Sequence, residues 1–247
     1  MAAVLIAAAP GGMAVAAPAD IAAAVAAKDR PEAAVKLDES RKPAEVLKFL
    51  GLKKGDRTLD MFTGTGYYAE IMARAVGPKG LALGWESASF LDDKGRQNFA
   101  QIKGRAPNFG YFATPATSLG LPSDAFDLVM IHLNYHDAYW ESAKDNFPRM
   151  DPDLFLRTIY GSVKPGGVVG VVDHVANPGG DTREVVEKLH RIDPAVIRAD
   201  FERAGFVFEG ESNVLRNPAD DHSKMVYDPS VRGKTDRIVY RFRRPRA

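Results

Sequence analysis

The feature that most constrains the fold is a short apolar strand followed at once by two glycines and a helix. Residues 57–62 form the predicted strand, which carries Asp60, and Gly64 and Gly66 separate it from a helix predicted over residues 67–76. Because glycine has no Cβ, a turn of this kind lets the backbone approach a nucleotide-like ligand closely. The chain must therefore fold so that a strand end, a tight turn and a helix start surround one ligand position.

Predicted strands and helices alternate along the chain. After the glycine turn, strands are predicted at residues 81–85, 109–113, 125–131 and 168–172, helices at about 90–103 and 153–163, and in the tail a helix at 193–204 and strands at 206–211 and 237–242. The continuous apolar run at 125–131 is typical of a strand buried on both faces. This order favours parallel β–α–β units in an open sheet, which is the α/β class.

Length and composition limit the classes of protein that are possible. A chain of 247 residues, 45% of them hydrophobic, is long enough for one α/β domain with additions. We expect that domain to span residues 20–247, with N-terminal helices in residues 20–50. The net charge of +1 provides no broad basic field, so nucleic acid is not expected as a partner. The absence of cysteine excludes disulfides, thiolate nucleophiles and cysteine-bound metal centres.

Residues 1–19 carry no charged side chain and are rich in alanine. Residues 14–16 and 17–19 have the small-x-small pattern of signal-peptide cleavage sites, although the positively charged start of such a signal is missing. Two interpretations stay open, a secretory signal and a disordered extension rich in alanine, glycine and proline. Prolines and glycines interrupt the apolar run, so no stable membrane insertion is predicted.

Two acids narrow the choice of ligand at the glycine turn. Residues 64–69 fit the dinucleotide fingerprint G-x-G-x-x-A, and Glu86 lies 20 residues past Gly66, where an acid accepts hydrogen bonds from ribose hydroxyls. Asp60 does not suit a dinucleotide, because its carboxylate would repel a pyrophosphate. A ligand with a ribose and a cationic amino-acid end would instead gain from both acids. An NAD(P)-dependent oxidoreductase remains the alternative that the glycine pattern allows.

The ordered motifs resemble those of class I S-adenosylmethionine-dependent methyltransferases. Residues 60–66 resemble motif I of that family, Glu86 matches the acid that ends its second strand, and residues 126–129 and 163–167 match its fourth-strand motif and the turn before its fifth strand. The resemblance covers residues 43–210. It implies a Rossmann-like fold with a mostly parallel central sheet flanked by helices and a final antiparallel strand, S-adenosylmethionine as cofactor, and a small-molecule methyl acceptor.

The same resemblance implies a set of cofactor-binding positions. These positions are Asp60, Phe62, Gly64, Gly66, Tyr67, Glu86, Thr117 and Ser118. Phe62 stands where motif I usually has its first glycine, and Thr117 and Ser118 stand where an acid commonly reaches the adenine. Several further phrases, among them residues 41–47 and 232–237, resemble a bacterial group of predicted methyltransferases whose substrate is not settled.

Candidate catalytic residues follow the fourth and fifth strands. In open α/β sheets the ligand lies at the carboxyl ends of the strands, which places Asn134, Tyr135, His136 and His174 beside the acceptor. Methyl transfer from a sulfonium is a direct displacement, so alignment is the main contribution expected from them. Residues 220–222 are interpreted as a solvated turn, and no metal is predicted.

Residues 175–192 and 211–236 are possible lid segments, because connections of this length inside a domain are usually functional or mobile.

The predicted function is methyl transfer to an unidentified small molecule. The main alternative is an exported, non-catalytic binding or scaffold protein on a degenerate methyltransferase fold. The signal-like start favours a periplasmic or exported protein, whereas supply of the cofactor favours the cytoplasm. The sequence does not fix the oligomeric state.

Overall fold

A computed structural model describes residues 17–246. The predicted signal-like segment at residues 1–19 therefore lies outside the described residues except for its last three. Within residues 17–246, no helix is both long enough and apolar enough to cross a membrane.

One sheet of seven strands organises the described part of the chain. The strands are β1 (Arg57–Met61), β2 (Leu81–Ser87), β3 (Phe109–Thr114), β4 (Phe126–His132), β5 (Val163–His174), β6 (Val207–Glu211) and β7 (Arg237–Arg243). Their order across the sheet is β3-β2-β1-β4-β5-β7-β6. The first five strands pair in parallel, and β7 runs antiparallel to both β5 and β6. The predicted mostly parallel sheet with a final antiparallel strand is confirmed.

Helices cover both faces of the sheet. They are α1 (Ile21–Val25), α2 (Glu32–Val35), α3 (Asp38–Arg41), α4 (Pro43–Leu50), α5 (Tyr67–Val76), α6 (Asp93–Arg105), α7 (Pro152–Ser162), α8 (Thr182–Leu189) and α9 (Pro194–Arg203). Alternate residues of β4 point to two separate cores. Val129 and Ile131 pack with α7 and α9, while Leu128 and Met130 pack with α4, α5 and α6. Burial on both faces explains why this strand is apolar throughout.

Most boundaries differ by one to three residues from the sequence-based prediction, and three differences have a clear structural cause. Strand β2 continues to Ser87 because β3 pairs beside it to the end, so Glu86 lies within the strand. Strand β5 begins at Val163 rather than at residue 168, because Val163 already pairs with Phe126 before a bulge. Helix α8 forms inside the predicted lid segment 175–192, where Asp181 caps it by accepting a hydrogen bond from the Glu184 backbone N–H.

Candidate functional site

The glycine turn closes between the end of β1 and the start of α5. The Thr63 N–H donates to the Trp85 carbonyl at 2.9 Å, which ties the turn to β2, and the Gly66 N–H donates to the Thr63 carbonyl at 2.8 Å. Gly64 and Gly66 have φ angles of +56° and +77°, in the left-handed region that favours glycine. A Cβ on Gly66 would also lie 2.5 Å from a side-chain carbon of Ile102 on α6. The turn therefore requires glycine at position 66 for its backbone and for its packing.

Phe62 stands at the usual first glycine of the motif and adopts a φ of +50°. A bulky residue in the left-handed region is strained, at a cost of roughly 1–2 kcal/mol. Its ring is buried, with its centroid 4.6 Å from that of Trp85 in an edge-to-face arrangement. Phe62 thus keeps the positive φ that glycine usually adopts at this position, and its phenyl ring lies in the hydrophobic core.

The Asp60 carboxylate lies behind this turn and is almost completely buried. One of its oxygens accepts hydrogen bonds from the Thr63 hydroxyl at 2.7 Å and from the Ala69 N–H at 3.2 Å. Burial raises the pKa of Asp60 to about 7, against the lowering effect of those two donors, and the nearby charge of Glu86 raises it further. The acid thus holds the turn against the first residues of α5 while it stays poorly solvated.

Glu86 reaches the glycine turn from the neighbouring strand. One carboxylate oxygen accepts a hydrogen bond from the Gly64 N–H at 2.7 Å, and the other accepts one from the Ser87 N–H at 2.9 Å. Burial raises the pKa of Glu86 above its ordinary value, although both backbone donors oppose that shift. The acid and the glycine turn are therefore in direct contact, and their shared role in binding one ligand stays a prediction.

The other predicted cofactor positions are divided between the core and a cavity. Tyr67 is buried, and its hydroxyl donates to Asp38 at 2.6 Å, so it fixes α3 against the start of α5. Thr117 and Ser118 follow β3 and line a cavity of about 240 Å³ together with Met150 and other residues around the start of α7. Whether these three residues touch the cofactor remains a prediction.

His136 is held by a carboxylate at the end of the next strand. Its Nδ1 lies 2.7 Å from one oxygen of Asp173, and its backbone N–H donates to the other at 2.8 Å. A carboxylate beside Nδ1 makes that nitrogen the donor, so Nε2 points away from Asp173 and lies 3.3 Å from Asp137 Oδ1. Burial disfavours the charged imidazole, but the charges of Asp173 and Asp137 outweigh it and raise the pKa of His136 to about 9.

The remaining predicted catalytic residues have different environments. The Asn134 side chain donates to Asp137 Oδ2 at 3.0 Å, and the His174 Nδ1 lies 2.7 Å from the Thr235 hydroxyl. Tyr135 is fully buried, and its hydroxyl donates to Asp200 of α9 at 2.7 Å. This contact points Tyr135 into the core, so the geometry does not support a role for it at the acceptor.

The sequence places Asp137 after the fourth strand with Asn134 and His136, but it does not connect Asp137 with His190, which is interpreted from the sequence as a residue of a lid or a turn. His190 caps the end of α8, and its Nδ1 lies 4.0 Å from Asp137 Oδ1. More than 50 residues separate the two positions, so spacing alone gave no signal. The sequence contains one indication of a role for His190, because it lies in the predicted lid segment 175–192 and directly precedes Arg191.

The interpretation of residues 220–222 as a solvated turn is wrong for Asp220, whereas Asp221 is exposed. Asp220 is buried and forms a two-pronged ion pair with Arg191, whose side chain is completely buried. Arg191 also donates to the carbonyls of Val175 and Lys224. A buried guanidinium needs such partners, so Asp220 is buried beside it. Their ion pair joins the two predicted lid segments, 175–192 and 211–236.

Comparisons with known proteins agree with this architecture. The family model described as "Protein-L-isoaspartate(D-aspartate) O-methyltransferase (PCMT)" matches residues 32–108. A ubiquinone/menaquinone biosynthesis C-methyltransferase of Pasteurella multocida is 28% identical over 123 residues, which make up 50% of this chain and 41% of the relative. The corresponding protein of Xanthomonas oryzae pv. oryzae is 32% identical over 123 residues, 49% of this chain and 44% of the relative. The matches thus span less than half the length of these relatives.

Solved structures extend the likeness over most of the chain. A SAM-dependent methyltransferase from Aquifex aeolicus superimposes with a TM-score of 0.59 and 19% identity, covering 88% of this chain and all of that one. The [4+2]-cyclase SpnF superimposes with a TM-score of 0.59 and 20% identity, covering 84% and 81% of the two chains. The chain therefore has the Rossmann-like fold of class I S-adenosylmethionine-dependent methyltransferases, and the resemblance inferred from its motifs is confirmed. The cyclase shows that this fold also occurs in a protein named for another reaction.

Proposed function

We propose that this chain transfers a methyl group from S-adenosylmethionine to a small-molecule acceptor. The observation that carries the proposal is the contact between the Glu86 carboxylate and the Gly64 N–H at 2.7 Å, with the buried Asp60 behind the same turn. An acid at the end of β2 suits the ribose hydroxyls, and an acid at the end of β1 suits a ligand with a cationic amino-acid end. The site therefore has the charge that a phosphate-free, cationic cofactor needs.

The reaction itself requires little from the protein beyond alignment. A lone pair of the acceptor attacks the methyl carbon, the carbon–sulfur bond breaks, and its electron pair stays on sulfur, which becomes a neutral thioether. The proton that a hydroxyl acceptor loses passes to solvent. Asn134 and His136 follow β4, which is next to β1, and His174 ends β5, so all three lie at the carboxyl edge of the sheet, where the acceptor would bind. Tyr135 supports them from the core.

An aromatic ring bearing a hydroxyl is the acceptor class we propose to test first. Phe90, Trp140 and Phe147 form a stack of rings, and the Trp140 ring lies 5.4 Å from that of His190. Flat aromatic ligands gain from such surfaces. The names of the curated relatives, which refer to quinone biosynthesis, point the same way.

Calorimetric titration with S-adenosylmethionine tests the cofactor assignment. We expect a dissociation constant within the roughly 1 μM–1 mM range in which enzymes commonly bind substrates. Glu86→Gln should weaken binding by at least about tenfold, because one charge-assisted hydrogen bond is worth about 1.5–3 kcal/mol. The matched control is Asp127→Asn, since that carboxylate also accepts from a backbone N–H but lies at the opposite end of the strands.

The outcomes of this titration separate the alternatives. Absence of heat at millimolar cofactor, or equal losses in both variants, would contradict the proposal. Saturable binding of NADH instead would favour the oxidoreductase. Tight cofactor binding without transfer to any hydroxylated aromatic acceptor would favour a non-catalytic binding protein.

A further inference from the structure

Three metal-binding side chains converge at the carboxyl edge of the sheet. His136 Nε2 lies 3.3 Å from Asp137 Oδ1, and His190 Nδ1 lies 4.0 Å from the same oxygen. One ligand atom from each residue lies within 4.8 Å of the others. Two of these residues follow β4 and the third ends α8, so the fold itself brings them together.

Two further contacts aim these ligand atoms at a common point. Asp173 accepts a hydrogen bond from His136 Nδ1 at 2.7 Å, so Nε2 is the nitrogen that faces another partner and would bind a metal ion once it gives up its proton. Asn134 donates to Asp137 Oδ2 at 3.0 Å, which turns Oδ1 toward the two histidines. Carboxylate and amide partners behind the ligands are the usual way in which proteins orient a metal site.

His190 has an unfavourable side-chain environment and an unfavourable backbone conformation, and its own contacts do not compensate for either. Its Nδ1 is buried and has no hydrogen-bond partner among residues 17–246. Its φ is +50°, a conformation at a helix end that normally takes glycine. The buried pair of Arg191 and Asp220 anchors the next residue, so the imidazole is kept beside Asp137. A strained residue with an unsatisfied buried nitrogen is an indication of function.

We propose that His136, Asp137 and His190 bind one divalent transition-metal ion of the zinc type. Two imidazole nitrogens and one carboxylate oxygen are a ligand set of catalytic zinc sites, which keep a position open, whereas Mg²⁺ and Ca²⁺ prefer oxygen ligands. Tetrahedral ligands lie about 3.3 Å apart, so His136 and Asp137 already have the required separation. His190 lies 4.0 Å from Asp137 Oδ1, and all three ligand atoms lie within 4.8 Å of one another, so the imidazole of His190 needs to approach by up to about 1.5 Å. The two carboxylates of Asp137 and Asp173 balance the charge of a divalent cation.

The open position of this site faces the place of the acceptor. This use of the metal rests on the proposed function, whereas binding of the metal does not. Glu86 lies close enough for the charge of Asp137 to act on it, so the cluster and the cofactor-binding acid share one edge of the sheet. An oxygen of a hydroxylated acceptor is the ligand that would complete the coordination.

The test uses the full chain, stripped of metal with a chelator and titrated with Zn²⁺ and with Co²⁺ in the absence of cofactor. We expect one Zn²⁺ per chain by calorimetry, visible absorption bands from bound Co²⁺, and a rise in melting temperature with Zn²⁺. His190→Gly and Asp137→Asn should each weaken the affinity at least about 100-fold. His222→Ala is the matched control, because His222 also contacts a carboxylate, that of Asp236, outside the cluster.

His190→Gly separates a metal ligand from a structural residue. Glycine relieves the positive φ, so the metal-free variant should melt at or above the wild-type temperature while it loses the shift caused by Zn²⁺. The proposal is overturned if the wild type takes up no Zn²⁺ saturably, or if His190→Gly binds it as the wild type does. Equal losses in His222→Ala would overturn it as well. A chain that binds Zn²⁺ but no S-adenosylmethionine would keep the metal site and contradict the methyltransferase.

Discussion

The pH dependence of cofactor affinity should report directly on Asp60. Burial raises the pKa of this carboxyl to about 7, so the ligand-free protein keeps a proton on it up to nearly neutral pH. The folded pKa lies above the ordinary value, so this group contributes most to stability below about pH 4, and that contribution decreases as the pH rises toward 7. A cationic ligand favours the charged carboxylate, so binding should release that proton.

The size of the effect follows from the same pKa. If only the charged form binds well, the dissociation constant grows by about tenfold for each pH unit below the pKa. With a pKa of about 7, affinity should therefore be roughly eightfold weaker at pH 6.0 than at pH 7.5. Asp60→Asn keeps the shape and an acceptor for Thr63 and Ala69 but cannot ionise. It should bind more weakly at pH 7.5 than the wild type and lose most of this pH dependence.

Calorimetry in two buffers with different ionisation enthalpies measures both the affinity and the number of protons released. The amino group of the ligand also titrates, but it does so with the wild type and with Asp60→Asn alike. The difference in proton release between these two proteins therefore isolates the contribution of Asp60. The variant should also gain stability relative to the wild type between pH 5 and pH 8, on the order of 2 kcal/mol. A wild-type affinity that is flat from pH 6.0 to pH 7.5, or the same slope in Asp60→Asn, would refute the reasoning.

Three further substitutions test separate parts of the structure. Arg191→Met should lower the free energy of unfolding in urea by about 3–5 kcal/mol, because it leaves the buried Asp220 without its ion-pair partner; a loss below about 1 kcal/mol would contradict the joined lid segments. Tyr135→Phe should cost about 1–3 kcal/mol of stability through the loss of its bond to Asp200, and cofactor affinity measured by calorimetry should not change. Gly66→Ala should lower both the melting temperature and the cofactor affinity, because its φ is +77° and a Cβ would lie 2.5 Å from a side chain of α6.

The parts of the fold that the sequence predicted are those with local causes. Helix α5 was predicted with its observed bounds because glycines stand at both of its ends, at Gly66 and Gly77. The start of β5 was misplaced because the pairing of Val163 with Phe126 depends on a neighbouring strand. The candidate site also contains residues whose positions have local causes and residues whose positions depend on distant parts of the chain. Its strand-end residues follow from topology, whereas the position of His190 depends on the path of two loops.

The path of these two loops is fixed by an ion pair that the spacing of residues in the sequence does not reveal. Arg191 and Asp220 lie 29 residues apart, and their ion pair fixes the residue next to His190. The sequence alone makes a solvated turn the simpler interpretation, because charged residues in polar loops usually face water. Burial of Arg191 reverses that expectation, since a buried guanidinium must find a carboxylate.

Several unfavourable features of the described residues lie at the carboxyl edge of the sheet, although Asp124 and Asp56 at the opposite edge have a positive φ and a raised pKa, respectively. Phe62 after β1 and Leu133 after β4 are bulky residues with positive φ, and Asp60 is an acid buried near the end of β1. At the opposite edge the comparable acid, Asp127, is satisfied by Lys164 and by a backbone N–H. Strain and buried charge lower stability, and they persist where binding or chemistry requires them. The features at the carboxyl edge therefore support the proposal that the glycine turn and the cluster of His136, Asp137 and His190 belong to one functional edge.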